Sequence, residues 1–206
     1  MKRPYAVLVV AGVLAAGCTA DQGTENAGAT GSATASPSPA APSSGGPGGP
    51  AVTGEPPFPA DAEPDASDGG PVAGGGLTVS DVRVAAQDGF DRVVFEFGGT
   101  GEPSWDVRYA EQATSQGSGE VVDVPGAEVL QVTLGGVGYP YETGVTEWSG
   151  PEPLTAPDTG RVAGVVFDAT FEGLSTAFVG TSARAPFRVF TLTGPTRVVV
   201  DVADAG

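Results

Sequence analysis

From Leu77 onward, apolar and polar positions alternate with a period of two residues, the signature of half-buried β-strands. In Arg92–Phe97 the residues Val93, Phe95 and Phe97 share one face. Trp105, Val107 and Tyr109 repeat the pattern among charged neighbours, as do Leu130, Val132 and Leu134, and Val165, Phe167, Ala169 and Phe171. Further strand-like runs cover Leu77–Val84, Leu174–Val179, Phe187–Leu192 and Arg197–Val202. No window of helical length carries an apolar stripe at 3.6-residue spacing. Gly98-Gly99-Thr100-Gly101, Gly135-Gly136 and Gly194-Pro195 punctuate the runs as turns. The pattern predicts seven or eight short strands in an all-β, antiparallel β-sandwich, with a barrel as the other closure. A stretch of this length can bury a core without disulfides.

Before Leu77 the pattern stops. Of the 58 residues 19–76, 46 are Gly, Ala, Ser, Thr or Pro, and only Val52, Phe58 and Val72 are sizeable apolar residues. Such a segment cannot offset its ordering entropy by burial and is expected to be disordered. Its seven acids and no base would extend it by self-repulsion, and its root-mean-square span as a flexible coil is roughly 40–45 Å. Within it, Asp61–Gly69 glances at a calcium loop. It carries Pro64 and lacks the glycine that an EF-hand loop places at its sixth position, so a solvated acidic linker is expected there.

At the N-terminus, Lys2 and Arg3 precede 12 uncharged residues, Tyr5–Ala16, too few to span a bilayer and suited to a secretory signal. The run ends Leu14-Ala15-Ala16-Gly17-Cys18 and turns polar at once. This resembles the lipobox of bacterial lipoproteins, with Ala15 where Leu is commoner. The resemblance implies cleavage before Cys18 and a diacylglyceryl group on its thiol, two acyl chains being what stable anchoring needs. The expected organisation is therefore a signal peptide at 1–17, a lipidated Cys18 and tether at 18–76, and one folded domain at 77–206.

Composition narrows the chemistry. The chain has 206 residues, one Cys and no His, which excludes Ser-His-Asp and Cys-His nucleophile systems, a Cys/His zinc site and an internal disulfide. A net charge of -16 argues against nucleic acid as a partner. Its only Lys lies in the signal segment, which removes a Ser-Lys dyad.

Two stretches are similar to the AMIN-like domain found in actinobacterial lipoproteins, a relative of the AMIN module of cell-wall amidases. One is Gly89-Phe90-Asp91-Arg92-Val93-Val94-Phe95-Glu96-Phe97 with Pro103–Tyr109. The other is Pro186–Leu192 leading into Pro195-Thr196-Arg197-Val198-Val199-Val200-Asp201-Val202. Phe171-Glu172-Gly173 matches the family's Phe-x-Gly turn. The resemblance covers 77–206. It implies a β-sandwich, an extracytoplasmic location and a targeting or binding role, towards peptidoglycan in AMIN proper, with no catalytic residues.

Residue by residue, the catalytic readings thin out. Asp158-Thr159-Gly160 spells the aspartic-protease triplet, but Thr155-Ala156-Pro157 before it is loop chemistry rather than an apolar strand. A paired-carboxylate hydrolase remains formally open among the 18 acids of the domain. Arg197 and Asp201 share a strand face and read as an outward charged edge. The strongest binding candidate is the loop Gly138–Gly144, with Tyr139, Tyr141 and Glu142, together with Trp148. Aromatic rings on a sandwich loop offer stacking faces, and Glu142, Glu147 and Glu152 can accept hydroxyl hydrogen bonds. The competing reading is that the rings cap one end of the core.

The expectation is thus a non-catalytic, lipid-anchored protein at the outer face of the cell membrane, needing no cofactor or metal. It binds peptidoglycan, another wall glycan or an envelope protein. A carboxylate-dependent wall hydrolase and a purely structural interaction module are the alternatives.

Overall fold

The computed structural model describes residues 55–59 and 61–204. The lipobox-like segment, Cys18 and the expected tether up to residue 54 lie outside the described residues. Among the described residues there are nine strands: β1 (Asp65–Ala66), β2 (Gly76–Gln87), β3 (Phe90–Thr100), β4 (Ser104–Ala110), β5 (Glu128–Gly135), β6 (Val162–Phe171), β7 (Leu174–Thr181), β8 (Phe187–Leu192) and β9 (Thr196–Ala203). One helical turn, α1 (Pro140–Thr143), sits between β5 and β6. Every strand pairing is antiparallel. One sheet has the order β1-β4-β5-β7-β6 and the other β2-β3-β9-β8. The antiparallel sandwich expected from the alternation is the fold.

The core follows from the alternation. Val93, Phe95 and Phe97 of β3 meet Val198, Val200 and Val202 of β9 on one inner face. Val107, Leu130, Val132, Leu134, Ala177 and Val179 come from the facing sheet. Burying a side chain of this size is worth ~1.5–3 kcal/mol, and these positions together hold the two sheets against each other.

One expected face is broken. In β6, Val165 and Phe167 are buried, yet Ala169 and Phe171 are exposed and Thr170 is buried. The register against β7 shifts between Phe167 and Ala169, and Ala169 takes φ 133°. An extra residue in one strand reverses which side chains face the core, so the simple period fails beyond Phe167. The hairpin that follows turns at Glu172 (φ 49°) and Gly173 (φ 79°), with both central residues left-handed, as a tight two-residue hairpin requires. This accounts for glycine in the Phe171-Glu172-Gly173 turn.

Within the segment 18–76 expected as a disordered tether, the described residues nearest the domain make contacts with the sandwich. Asp65 and Ala66 pair with Val107 and Asp106 as β1, and Gly76 opens β2. The Asp65 carboxylate accepts the Val189 N–H at 3.0 Å and the Trp105 indole N–H at 3.4 Å, and the Val72 carbonyl accepts the Gly136 N–H at 2.7 Å. Asp65 is thereby engaged by protein donors on two strands, and the stretch that glanced at a calcium loop begins the sheet edge. What overrides composition here is tertiary contact: backbone and carboxylate acceptors in a Gly/Pro-rich segment satisfy donors at the end of the sandwich.

Candidate functional site

Two surfaces carry chemistry. The first is the aromatic loop. Tyr139 precedes α1 in an extended conformation, Pro140 starts the turn and Gly144, at φ 72°, ends it. The Glu142 carboxylate accepts the Tyr139 N–H at 3.1 Å, so it serves to hold the turn. The turn is fixed to β2: Thr78 Oγ1 donates to the Gly138 carbonyl at 3.1 Å and lies 2.6 Å from Thr143 Oγ1. On this base the rings of Tyr139 and Tyr141 stack, with centroids 5.3 Å apart and planes 9° from parallel. The Tyr139 hydroxyl accepts the Glu172 N–H at 3.0 Å, pinning one ring to the β6–β7 turn. Tyr141 is 80% exposed. A pinned ring thus carries an open one, whose flat face is available to a planar or pyranose ligand.

Trp148 does not join this stack. Its backbone N–H donates to the Val79 carbonyl at 2.8 Å, and its ring meets Phe167 edge-on at 5.9 Å, half-buried against the core. Glu147 accepts the Thr170 hydroxyl, which in turn bonds Ser175 at 2.6 Å. The structure therefore brings together Tyr139, Tyr141 and Glu142 and assigns Trp148 to packing.

The second surface escaped the sequence reading. Asp201 is fully buried, not an outward charge, and lies on the outer face of the β2-β3-β9-β8 sheet. The register places it opposite Arg92 on one neighbouring strand and Arg188 on the other. Arg92 donates to both its carboxylate oxygens, at 2.7 and 2.8 Å, and Arg188 Nε donates at 2.8 Å. The hydrogen bonds that Arg92 donates to Asp201 outweigh burial and raise the guanidinium pKa above its ordinary value. Arg197, by contrast, donates to the Pro195 carbonyl at the strand's start. Phe90 and Phe190 flank the pair, with ring centroids 5.2–5.7 Å from the guanidinium carbons. The sequence signal for this surface is the pair Phe90-x-Arg92 and Arg188-x-Phe190 at polar-face positions of strands that both border β9.

The remaining motifs resolve into structure. Asp158, at φ 64°, is exposed in the loop before β6. Asp91 is buried and accepts three backbone N–H groups, from Gly160, Arg161 and Val162, at 3.2, 2.6 and 2.7 Å. Among the described residues, the two most deeply buried carboxylates, Asp91 and Asp201, thus face amide and guanidinium donors rather than each other. Among the described residues no helix is long and apolar enough to cross a membrane.

The domain is thus a two-sheet antiparallel sandwich with an exposed aromatic stack on one loop. The model of the AMIN-like domain family matches residues 77–204, and the chain belongs to that family. Domains of this family are generally non-catalytic, occur in cell-envelope proteins and suggest association with the cell wall. No curated protein and no solved structure matches the chain.

Proposed function

We propose that this protein is a non-catalytic, lipid-anchored envelope protein. Cys18 holds it at the outer face of the cell membrane, and its AMIN-like sandwich binds a neutral glycan of the wall, peptidoglycan foremost. The observation that carries the reading is the stacked pair Tyr139–Tyr141, with the outer ring 80% exposed. An exposed tyrosine on a hydrogen-bonded turn costs little entropy on binding and offers both a face and a hydroxyl. Residues 77–206 carry 18 acids and seven Arg, a net charge of about -11, whose field disfavours polyanionic wall polymers and leaves neutral sugars favoured.

Sedimentation with insoluble peptidoglycan, with and without its secondary polymers, tests the binding. Wild-type protein is expected in the pellet and Tyr141→Ala in the supernatant, both with the same melting temperature. Equal pelleting of the two removes the tyrosine stack from the site. Fatty-acid labelling tests the anchor separately: wild type is expected to incorporate label and Cys18→Ser none, and an unlabelled wild type refutes it.

A further inference from the structure

The outer face around Asp201 has a charge imbalance. Arg92 and Arg188, with side chains 19% and 11% exposed, bring two positive charges to one buried carboxylate. The second carboxylate comes from far away in sequence. Glu55 Oε1 accepts Arg92 Nη2 at 2.9 Å, and Glu55 Oε2 accepts Arg188 Nη2 at 3.2 Å, so one carboxylate spans both guanidinium groups. The next residues continue the contact. Arg188 Nη1 donates to the Pro56 carbonyl at 2.6 Å, and the Phe58 ring lies 4.4 Å from the Arg188 guanidinium carbon and 5.6 Å from the Phe90 ring centroid. None of residues 55–59 belongs to a strand, so the segment is held by these side-chain contacts and not by a ladder.

We propose that Arg92, Arg188, Phe90 and Phe190 form a receptor for an acidic, proline-rich peptide, and that Glu55-Pro56-Pro57-Phe58-Pro59 fills it in cis as an exchangeable strap. Three features define the ligand. A carboxylate neutralises the excess guanidinium charge through paired, charge-assisted hydrogen bonds. A backbone carbonyl one residue later meets the remaining Arg188 donor. An aromatic ring three residues after the acid packs against both the Arg188 guanidinium and the phenyl ring of Phe90. Prolines between acid and aromatic fix φ and keep the peptide extended before it binds, the economy by which proline-rich segments dock in aromatic-lined grooves. A partner protein carrying this pattern competes with the strap for the same groove. The site is distinct from the tyrosine stack, and its occupant is a peptide rather than a glycan.

The test is a titration of a peptide with the sequence of residues 53–60 into full-length protein, followed through the side-chain Nε–H resonances of Arg92 and Arg188. In the strap-emptied variant Glu55→Ala/Phe58→Ala, these resonances are expected to shift saturably. In wild type the strap competes at the millimolar effective concentration of a short linker, and apparent affinity is expected to be at least about tenfold weaker. A peptide with Gln in place of its Glu is expected to leave the Arg resonances unmoved in both proteins. The strap-emptied variant keeps both arginines and Asp201, and its fold is checked by its own spectrum. If it fails to fold, Phe58→Ala alone takes its place. No shift at millimolar peptide, equal binding to wild type, or equal binding of the Gln peptide each overturns the proposal. So does a shift produced by soluble wall fragments but not by the acidic peptide.

Discussion

Replacing Asp201 with Ala removes the acceptor on which two strands converge, and the cost can be worked from the geometry. The Asp201 carboxylate is 0% exposed and accepts three guanidinium hydrogen bonds of 2.7–2.8 Å. Without it, Arg92 and Arg188 stay largely buried with Glu55 alone between them. Breaking a buried ion pair by removing one partner costs ~3–5 kcal/mol, because the surviving charge stays desolvated. For a domain of this size, at about 3 °C per kcal/mol, the melting temperature should fall by roughly 9–15 °C. Arg83→Ala is the control. Arg83 pairs with Asp81 and Glu96 at 48% side-chain exposure, where screening leaves at most about 1 kcal/mol. Differential scanning calorimetry of the two variants against wild type decides. A fall for Asp201→Ala no larger than that for Arg83→Ala would refute the buried-network reasoning.

Other consequences are open to the same instruments. Trp148→Ala should lose on the order of 2–3 kcal/mol, below the ~3–5 of a fully buried tryptophan, while Tyr141→Ala should stay within about 0.5 kcal/mol of wild type in denaturant titration. The reverse order would put the exposed tyrosine in the core. Asp91→Ala should strip the acceptor from three amides, and hydrogen exchange at Gly160, Arg161 and Val162 should accelerate while the β5–β7 amides stay protected. Unchanged exchange there would mean the loop before β6 is held by something else. Gly180→Ala should destabilise by about 3 kcal/mol or prevent folding, because its Cβ would lie 1.7 Å from the Pro125 carbonyl oxygen, and a well-folded variant would show the backbone free to move apart.

The strands were legible because their inner positions are almost all Val, Leu or Phe, and a two-residue period needs no partner to be seen. The bulge in β6 left no trace in that pattern: Ala169 and Phe171 are apolar either way, and only the register against β7 turns them outward. Asp201 read as a surface charge because the groups that bury it are 109 and 13 residues away, brought beside it by the β3-β9-β8 order. Glu55–Pro59 and Asp65 were invisible for a related reason. Their composition gives no local preference for order, and their ordering comes from contacts with arginines and amides on distant strands. The aromatic loop was half legible. Its Gly/Pro chemistry marked a loop on the sandwich, but which rings point outward is set by backbone bonds to β2, the Trp148 N–H to Val79 among them.

The most direct test of the glycan-binding account is an amide chemical-shift map of the protein saturated with soluble peptidoglycan fragments. Shifts concentrated at residues 139–144 and at Glu172, whose N–H is held by the Tyr139 hydroxyl, are the predicted result, and they should vanish in Tyr141→Ala. Shifts confined to another face, or none at saturating fragment, would contradict it.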